Sequence, residues 1–351
     1  MIYKSGAYPK IEMPHKISVV IPVYNSENTL GECLASVYRS AYKNYEVIAV
    51  DDCSTDKSVE VIKKFPCRLI RQDRNGGAGK ARNAGAKHAT GDILLFMDSD
   101  VLIRKDTLAL FKESFDTVKE ASAVQSVYSN YVRGKSFANT YKMLYLRHSF
   151  MKVRERFVPT IASYCAAVKK EVFDALGGFN EKIPSATTED DEFGHRLIKR
   201  GYHIFLDKRI ECDHIVSLSL KKIIRRDFKM ASAILKSILR NENHEFKQTL
   251  RDGKFSTNTG FDMIASPIVA GLILVSGIAA AIGFNPVFLA IFLSSNVLFL
   301  AINRRFLKFI REERGLIFAI KSFFFMLADM GGVAFAGITV PIEFYVLNKK
   351  Y

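Results

Sequence analysis

Apolar and polar positions follow two rhythms over the first hundred residues. Residues 17–22 (Ile-Ser-Val-Val-Ile-Pro), 46–50, 68–70 and 93–97 are short apolar runs stopped by turn residues, and they read as buried strands. Pro22 is tolerated because it stands at a strand's very end. Between these runs Leu30, Leu34 and Val37 fall at helical spacing, as do Val59, Ile62 and Phe65, with Asp56 placed to cap the second helix. A third helix follows the turn Gly76-Gly77-Ala78-Gly79 and carries Lys80, Arg82 and Asn83. Four alternations of strand and helix predict an α/β fold built on a doubly wound, mostly parallel sheet.

Beyond residue 100 the pattern loosens. Residues 105–118 predict an amphipathic helix with Leu108, Phe111, Phe115 and Val118 on one face, and 163–168 read as a further strand. Gly177-Gly178-Phe179-Asn180-Glu181 is a turn. After it Glu189, Asp190, Asp191 and Glu192 open a helix, where acids complement the dipole.

From residue 219 the composition shifts. Ile223, Ile224, Phe228, Ile234 and Leu235 interleave with Lys221, Lys222, Arg225, Arg226, Lys229 and Lys236. This predicts one or two basic amphipathic helices within 218–260, lying in the headgroup plane of a membrane or docked as a surface helix.

No charged residue lies between Met263 and Asn303. As one helix that stretch would be about 60 Å long, twice the ~30 Å hydrocarbon core. Gly283-Phe284-Asn285-Pro286 divides it into spans at 263–283 and 286–303. The basic run 304–314 then falls on the cytosolic side by the positive-inside rule. A third apolar stretch, 316–347, is interrupted by Lys321, Asp329-Met-Gly-Gly and Pro341-Ile-Glu343. It reads either as an interfacial piece followed by one span or as a broken helix. Asp329 at membrane depth is a functional or pairing residue by default, and a snorkelling Lys321 is the plain alternative.

The whole chain has 351 residues and a formal net charge of +15, a length that allows about two domains. Its basic excess gathers in 219–251 and 304–314, beside uncharged spans, which favours anionic membrane lipids as partners. No zinc-finger, RNP or homeodomain-like pattern is present, so nucleic acid is not expected as a partner. Cys33, Cys53, Cys67, Cys165 and Cys212 form no C-x-x-C pair and read as reduced residues facing the cytosol. Met1 to Lys16 lacks an apolar h-region, so no cleaved signal peptide is expected. There is no internal repeat.

The chemistry concentrates in residues 91–100, Gly-Asp-Ile-Leu-Leu-Phe-Met-Asp-Ser-Asp. The run ends on Asp98 and Asp100, two residues apart and pointing the same way. Ligand crevices of open α/β sheets lie beyond the carboxyl ends of such strands. Two carboxylates so placed suit a hard divalent cation that keeps several waters and also binds substrate phosphates. Gly76-Gly77 is not a P-loop, since the G-x-x-x-x-G-K-[ST] spacing is absent.

Four stretches together carry a resemblance: Val-Val-Ile-Pro-Val-Tyr-Asn (19–25), Val-Asp-Asp-Cys-Ser-Thr-Asp (50–56), Asn-Gly-Gly-x-x-x-Ala-Arg-Asn-x-Gly (75–85) and Met-Asp-Ser-Asp (97–100). In order and spacing they resemble the motifs of family 2 glycosyltransferases, enzymes of the GT-A fold, over roughly residues 15–215. The resemblance implies a nucleotide-sugar donor (a UDP- or GDP-sugar), with Asp52, and Asp51 beside it, on the nucleotide base. Pro22 and Tyr24 would line the nucleoside pocket with Arg82 near it, and Asp98 with Asp100 would hold Mg²⁺ or Mn²⁺ on the diphosphate. Cys53 stands where the family often has Gly.

Gly-Gly-Phe followed by Glu-Asp at a helix start resembles the family's acceptor motif, whose Asp is the catalytic base; here that is Asp190. Asp191 and Glu192 would be solvated or structural, and the basic, aromatic residues 130–160 a mobile segment near the acceptor. His214 would either sit near the diphosphate, as a further group at the metal, or be a satisfied structural residue, as a lone His more often is. The Q-x-x-R-W motif of processive synthases is missing, so transfer of one or a few sugars is expected.

The expected layout is an extension (1–15), a GT-A domain (16–217), interfacial helices (218–260) and a transmembrane region (261–351), anchored in the inner membrane with the catalytic domain cytosolic. The expected reaction is inverting transfer to a hydroxyl of a lipid-linked or cell-envelope glycan. A polyprenyl-phosphate acceptor is the alternative, although an anionic phosphate needs no base and leaves Glu189-Asp190 without a task. A non-catalytic membrane scaffold is the remote alternative. Three apolar stretches at one end, without repeat symmetry, argue against a transporter.

Overall fold

The structure is a computed structural model, and it describes residues 15–133, 136–181, 189–215, 218–239, 261–283 and 285–347. The chain divides into two compact units: Met1–Gln125 with Ala162–Phe205, and Ser126–Ile161 with Leu206–Tyr351.

The first unit opens with β1 (Ile17–Val23), α1 (Leu30–Tyr38), β2 (Tyr45–Asp51), α2 (Ser58–Ile62), β3 (Arg68–Arg71), α3 (Ala78–His88) and β4 (Ile93–Met97). After them come β5 (Val101–Leu102), α4 (Thr107–Thr117) and β6 (Ala121–Tyr128). Helix α5 (Phe137–Met151) and β7 (Phe157–Val158) belong to the second unit; β8 (Cys165–Lys169), α6 (Lys170–Ala175) and α7 (Glu189–Lys199) return to the first. Strand β9 (His203–His214) leads back into the second, which continues with α8 (Leu220–Leu239).

In the first unit the strands run in the order β3-β2-β1-β4-β8-β6. β1 pairs in parallel with β2 and β4, and β2 with β3, as the strand–helix alternation predicts. β8 is antiparallel to both β4 and β6, so the sheet is mixed beyond β4. β1 and β4 are buried along nearly their whole length, which is why both read as unbroken apolar runs. α3 packs tightly on the sheet: a Cβ at Gly85 would stand 2.3 Å from Val20 Cγ1 of β1.

The second unit departs from expectation at 130–160. Residues 137–151 are a helix, and Tyr141 and Leu144 in it are fully buried. The aromatic content that reads as a loose segment is instead core: Tyr141 lies edge-on to Phe325 at 4.8 Å and Phe137 lies 4.9 Å from Phe318.

Three apolar helices close the chain: Phe261–Gly283, Pro286–Arg314 and Leu316–Pro341, the last extended by a π-turn at Ile342–Val346. All three are long and apolar enough to cross a membrane. Val275, Ile282, Val297, Ile317 and Phe335 are among the large apolar side chains left exposed on them. Asn285 caps the second helix, its side chain accepting from Val287 N, with Pro286 in the first turn. The third helix runs unbroken through Asp329-Met-Gly-Gly. Asp329 is buried there, facing Lys142 and Asp227, while Lys321 is exposed.

The apolar face of α8 packs on this third helix, Ile224 lying against Gly332 and Phe228 with its ring 6.4 Å from that of Phe335. Lys236 pairs with Glu343 at 3.1 Å, so the two helices run in the same direction. The small residue Gly332 lets Ile224 approach this helix closely, while Gly331 faces Leu274 of the first apolar helix. Lys221, Lys222, Arg225, Arg226 and Lys229 remain exposed. The remainder of the expected interfacial stretch, 240–260, and the extension 1–14 lie outside the described residues.

Candidate active site

The sheet brings the loops after β1, β2 and β4 to one edge of the first unit. After β1, Tyr24 is 52% exposed and Pro22 is half-buried, so the tyrosine ring can still be covered by a flat ligand. The loop after β2 carries Asp51 and Asp52, and neither carboxylate is open. Asp52 accepts the backbone N–H groups of Gly76 and Gly77, both at 2.8 Å, and Asp51 accepts that of Ser54 at 3.1 Å with Arg71 at 3.5 Å. Their first task here is to fix the Gly-Gly turn and their own loop.

Cys53 follows with φ 62°, in the left-handed region that a glycine enters without steric cost. The family's preference for Gly is therefore a backbone requirement, which Cys53 meets under strain. Its thiol donates to the Gln72 carbonyl at 3.0 Å, a contact that offsets some of the cost.

β4 delivers Asp98 and Asp100, both partly exposed. The Ser99 hydroxyl meets that of Ser26 at 2.7 Å, which ties this loop to the one after β1. Cys33 Sγ donates to the Asp98 carbonyl at 3.5 Å. Burial first, then the charges of Asp100 and Asp98, push its thiol well above the usual range. No cluster of three or more His, Cys, Asp or Glu side chains with metal-binding geometry occurs among the described residues. The donor set is two hard carboxylates, which fits Mg²⁺ or Mn²⁺ completed by phosphate oxygens and water.

The expected base, Asp190, sits in the first turn of α7. One of its oxygens accepts Ser163 N–H at 3.2 Å and the other accepts Asp191 N–H at 2.9 Å. Tyr164, next to Ser163, accepts the backbone N–H of Asp98 at 2.9 Å. The two ends of the site thus hang on consecutive residues leading into β8. Glu192 pairs with Arg196 at 2.6 Å, the structural role expected of it.

Arg82 lies deeper than a nucleoside contact would. It is 3% exposed, and its guanidinium donates to Asp98 at 2.7 Å and to Glu189 at 3.0 Å. Glu189 is 4% exposed; burial and then Asp190 push its carboxyl up, against the opposing charge of Arg82. Although burial acts the other way, Asp98, Glu189 and Asp190 hold the guanidinium more firmly charged than usual.

Two residues of the site escape a reading of the chain. Glu189 looks like one acid of a helix start, and its partner Arg82 is 107 positions away. Asn83 looks like a polar helix residue, yet it donates to the Phe179 carbonyl at 2.9 Å and accepts Phe179 N–H at 2.8 Å. It pins the Gly-Gly-Phe turn, where Gly178 has φ 72° and a Cβ would stand 2.6 Å from Asn83 Oδ1. The arginine and asparagine of the third motif therefore both serve the segment before α7. His214 belongs to the second unit, at the end of β9, its ring 5.8 Å from that of Tyr128.

Residues 18–177 match the family described as Glycosyl transferase family 2. Glycosyltransferase GlyG of Streptococcus pneumoniae is 35% identical over 124 residues, 34% of this chain and 41% of that protein. Poly(ribitol-phosphate) beta-N-acetylglucosaminyltransferase TarS of Staphylococcus aureus is 40% identical over 100 residues, 26% of this chain and 18% of that protein. The chain thus spans less than half the length of these curated relatives. Among solved structures, the mannosyltransferase PcManGT of Pyrobaculum calidifontis, in complex with GDP-Man and Mn²⁺, shares the fold. Its TM-score is 0.55 at 20% identity, covering 94% of this chain and 88% of that one.

Proposed function

Since residues 18–177 are a family 2 glycosyltransferase domain, we propose that the protein is a metal-dependent, inverting transferase of single sugars. It takes the sugar from a nucleotide-sugar and delivers it to a hydroxyl of a lipid-linked or cell-envelope glycan. The observation that carries this reading is the common mounting of Asp190 and Asp98 on Ser163 and Tyr164. A base and a diphosphate-binding carboxylate held by neighbouring residues suit an acceptor and a donor that must meet.

In this reading Tyr24 covers the nucleobase, and Asp52 supports it through the Gly76-Gly77 turn. Asp98 and Asp100 would hold Mg²⁺ or Mn²⁺, a group that would supply positive charge to offset what grows on the leaving diphosphate. Asp190 takes the proton from the acceptor hydroxyl as that oxygen attacks the anomeric carbon opposite the leaving group, and the configuration inverts. Envelope acceptors are supported by the named activities of relatives, among them poly(ribitol-phosphate) transferases.

The catalytic part is assigned to 16–217 and the membrane part to 261–351. Arg304, Arg305, Lys308, Arg311 and Arg314 at the end of the second apolar helix support a cytosolic catalytic side at the inner membrane. The basic face of α8 adds a surface for anionic lipid. The test is incubation of detergent-purified protein with a panel of labelled UDP- and GDP-sugars and bacterial membrane extract. Label in a lipid or glycan fraction, lost on chelation, supports the reading; no turnover of any donor contradicts it.

A further inference from the structure

Arg82 and Glu189 form a buried pair that the reaction scheme does not use. Neither touches solvent enough to meet a substrate, at 3% and 4% exposure. The pair is also incompletely satisfied: Arg82 Nε and Glu189 Oε2 are buried without a hydrogen-bond partner. A buried ion pair with unmet groups is a poor stabiliser, because desolvation rivals the attraction. Its value lies in what it connects. One arm of the guanidinium holds Asp98, at the donor end. The other holds the residue that precedes the base. Arg82 is itself braced by the Phe179 ring, 5.7 Å from its Cζ, in the turn that Asn83 pins.

Resting on the glycosyltransferase reading, we propose that Arg82 and Glu189 are positioning residues that set Asp190 by reference to Asp98. Among the described residues, the lateral tether of Asp190 is Ser163, through its N–H and its hydroxyl. A carboxylate held on one side swings with the first turn of its helix. The Glu189 clamp fixes that turn to the strand that bears the metal carboxylates. A guanidinium can bridge two carboxylates in a fixed plane, whereas an ammonium at the same place is a point charge that settles on one. The pair therefore acts on the rate of transfer and leaves nucleotide binding largely to Tyr24, Asp52 and the metal carboxylates.

The test uses the full chain in detergent with Glu189→Gln, Arg82→Lys and the double variant. Calorimetry with UDP or GDP and Mg²⁺ reads binding, and single-turnover transfer reads positioning. Each single variant is expected to lose roughly 10–100-fold in transfer rate, as for a catalytic group displaced by about 1 Å. Nucleotide Kd should stay within about threefold, and the double variant should be no slower than the slower single one. Glu189→Gln keeps an oxygen for Arg82 and preserves folding, so it decides the matter if Arg82→Lys fails to fold. Transfer within twofold of the unaltered protein, a Kd loss matching the rate loss, or costs that multiply in the double variant would each overturn the proposal. An unaltered protein that binds nucleotide and transfers sugar, beside unaffected variants, removes the positioning pair alone. One that does neither removes the glycosyltransferase reading beneath it.

Discussion

Asp190 accepts the main-chain N–H of Ser163 at 3.2 Å, and that contact places the proposed base one residue from the carbonyl that anchors Asp98. In the proposed reading, donor and acceptor chemistry would therefore be tied to consecutive residues leading into β8. Transfer needs reacting atoms held within a few tenths of an ångström, and a common mount supplies this without a conformational search.

The metal assignment is read most directly at Asp100. Asp98 gives one oxygen to Arg82, and in the proposed reading Asp98 and Asp100 together would hold the cation. Asp100→Asn should cut metal-dependent donor turnover by at least ~100-fold, the scale of a lost electrostatic stabiliser, with an unchanged melting temperature. Full activity of that variant, or of the unaltered protein in excess chelator, would exclude the assignment.

The backbone at Cys53 makes a second prediction. With φ 62°, Cys53→Gly removes steric strain but also the thiol contact to Gln72, and should change stability by less than about 1 kcal/mol. Cys53→Val puts a β-branched side chain at a positive φ and should lower stability by about 1–3 kcal/mol. Thermal melts of the two variants check this, and a valine variant as stable as the glycine one would show that the loop relaxes freely.

In the second unit, Lys142 is buried with its ammonium 2.7 Å from Asp227, and its charge reaches Asp329. One cation thus serves a buried acid, Asp329, and a partly buried one, Asp227. Lys142→Met should destabilise by about 3–5 kcal/mol, because it leaves uncompensated buried charge. Asp329→Asn removes one of the two acids and should be nearly neutral. Melting in detergent reads both, and equal effects would contradict this account of the cluster.

Much of this was legible in the chain. The apolar runs at 93–97 and 17–22 mark the central strands because burial on both faces leaves no polar alternation. The acceptor turn and the carboxylates were visible as motifs because each is local. What stayed hidden is non-local. Nothing near Glu189 announces Arg82, and nothing near Asp329 announces Lys142, since such pairs are made by topology. The helix 137–151 within 130–160 is not legible as one, because aromatic and basic residues without a clear period fit both a loop and a helix buried on several sides. The antiparallel β8 was equally silent, as a strand's direction is set by the connection that precedes it.

The central claim is that Asp190 deprotonates an acceptor hydroxyl, and single-turnover transfer by Asp190→Asn tests it. The substitution keeps size and hydrogen bonding but cannot take the proton. With donor affinity measured in parallel and unchanged, the rate should fall by ~10²–10⁴-fold, the usual contribution of a positioned base. An acceptor that is a lipid phosphate is already anionic and needs no such base. A variant within a few-fold of the unaltered protein would contradict the hydroxyl acceptor and favour the phosphate.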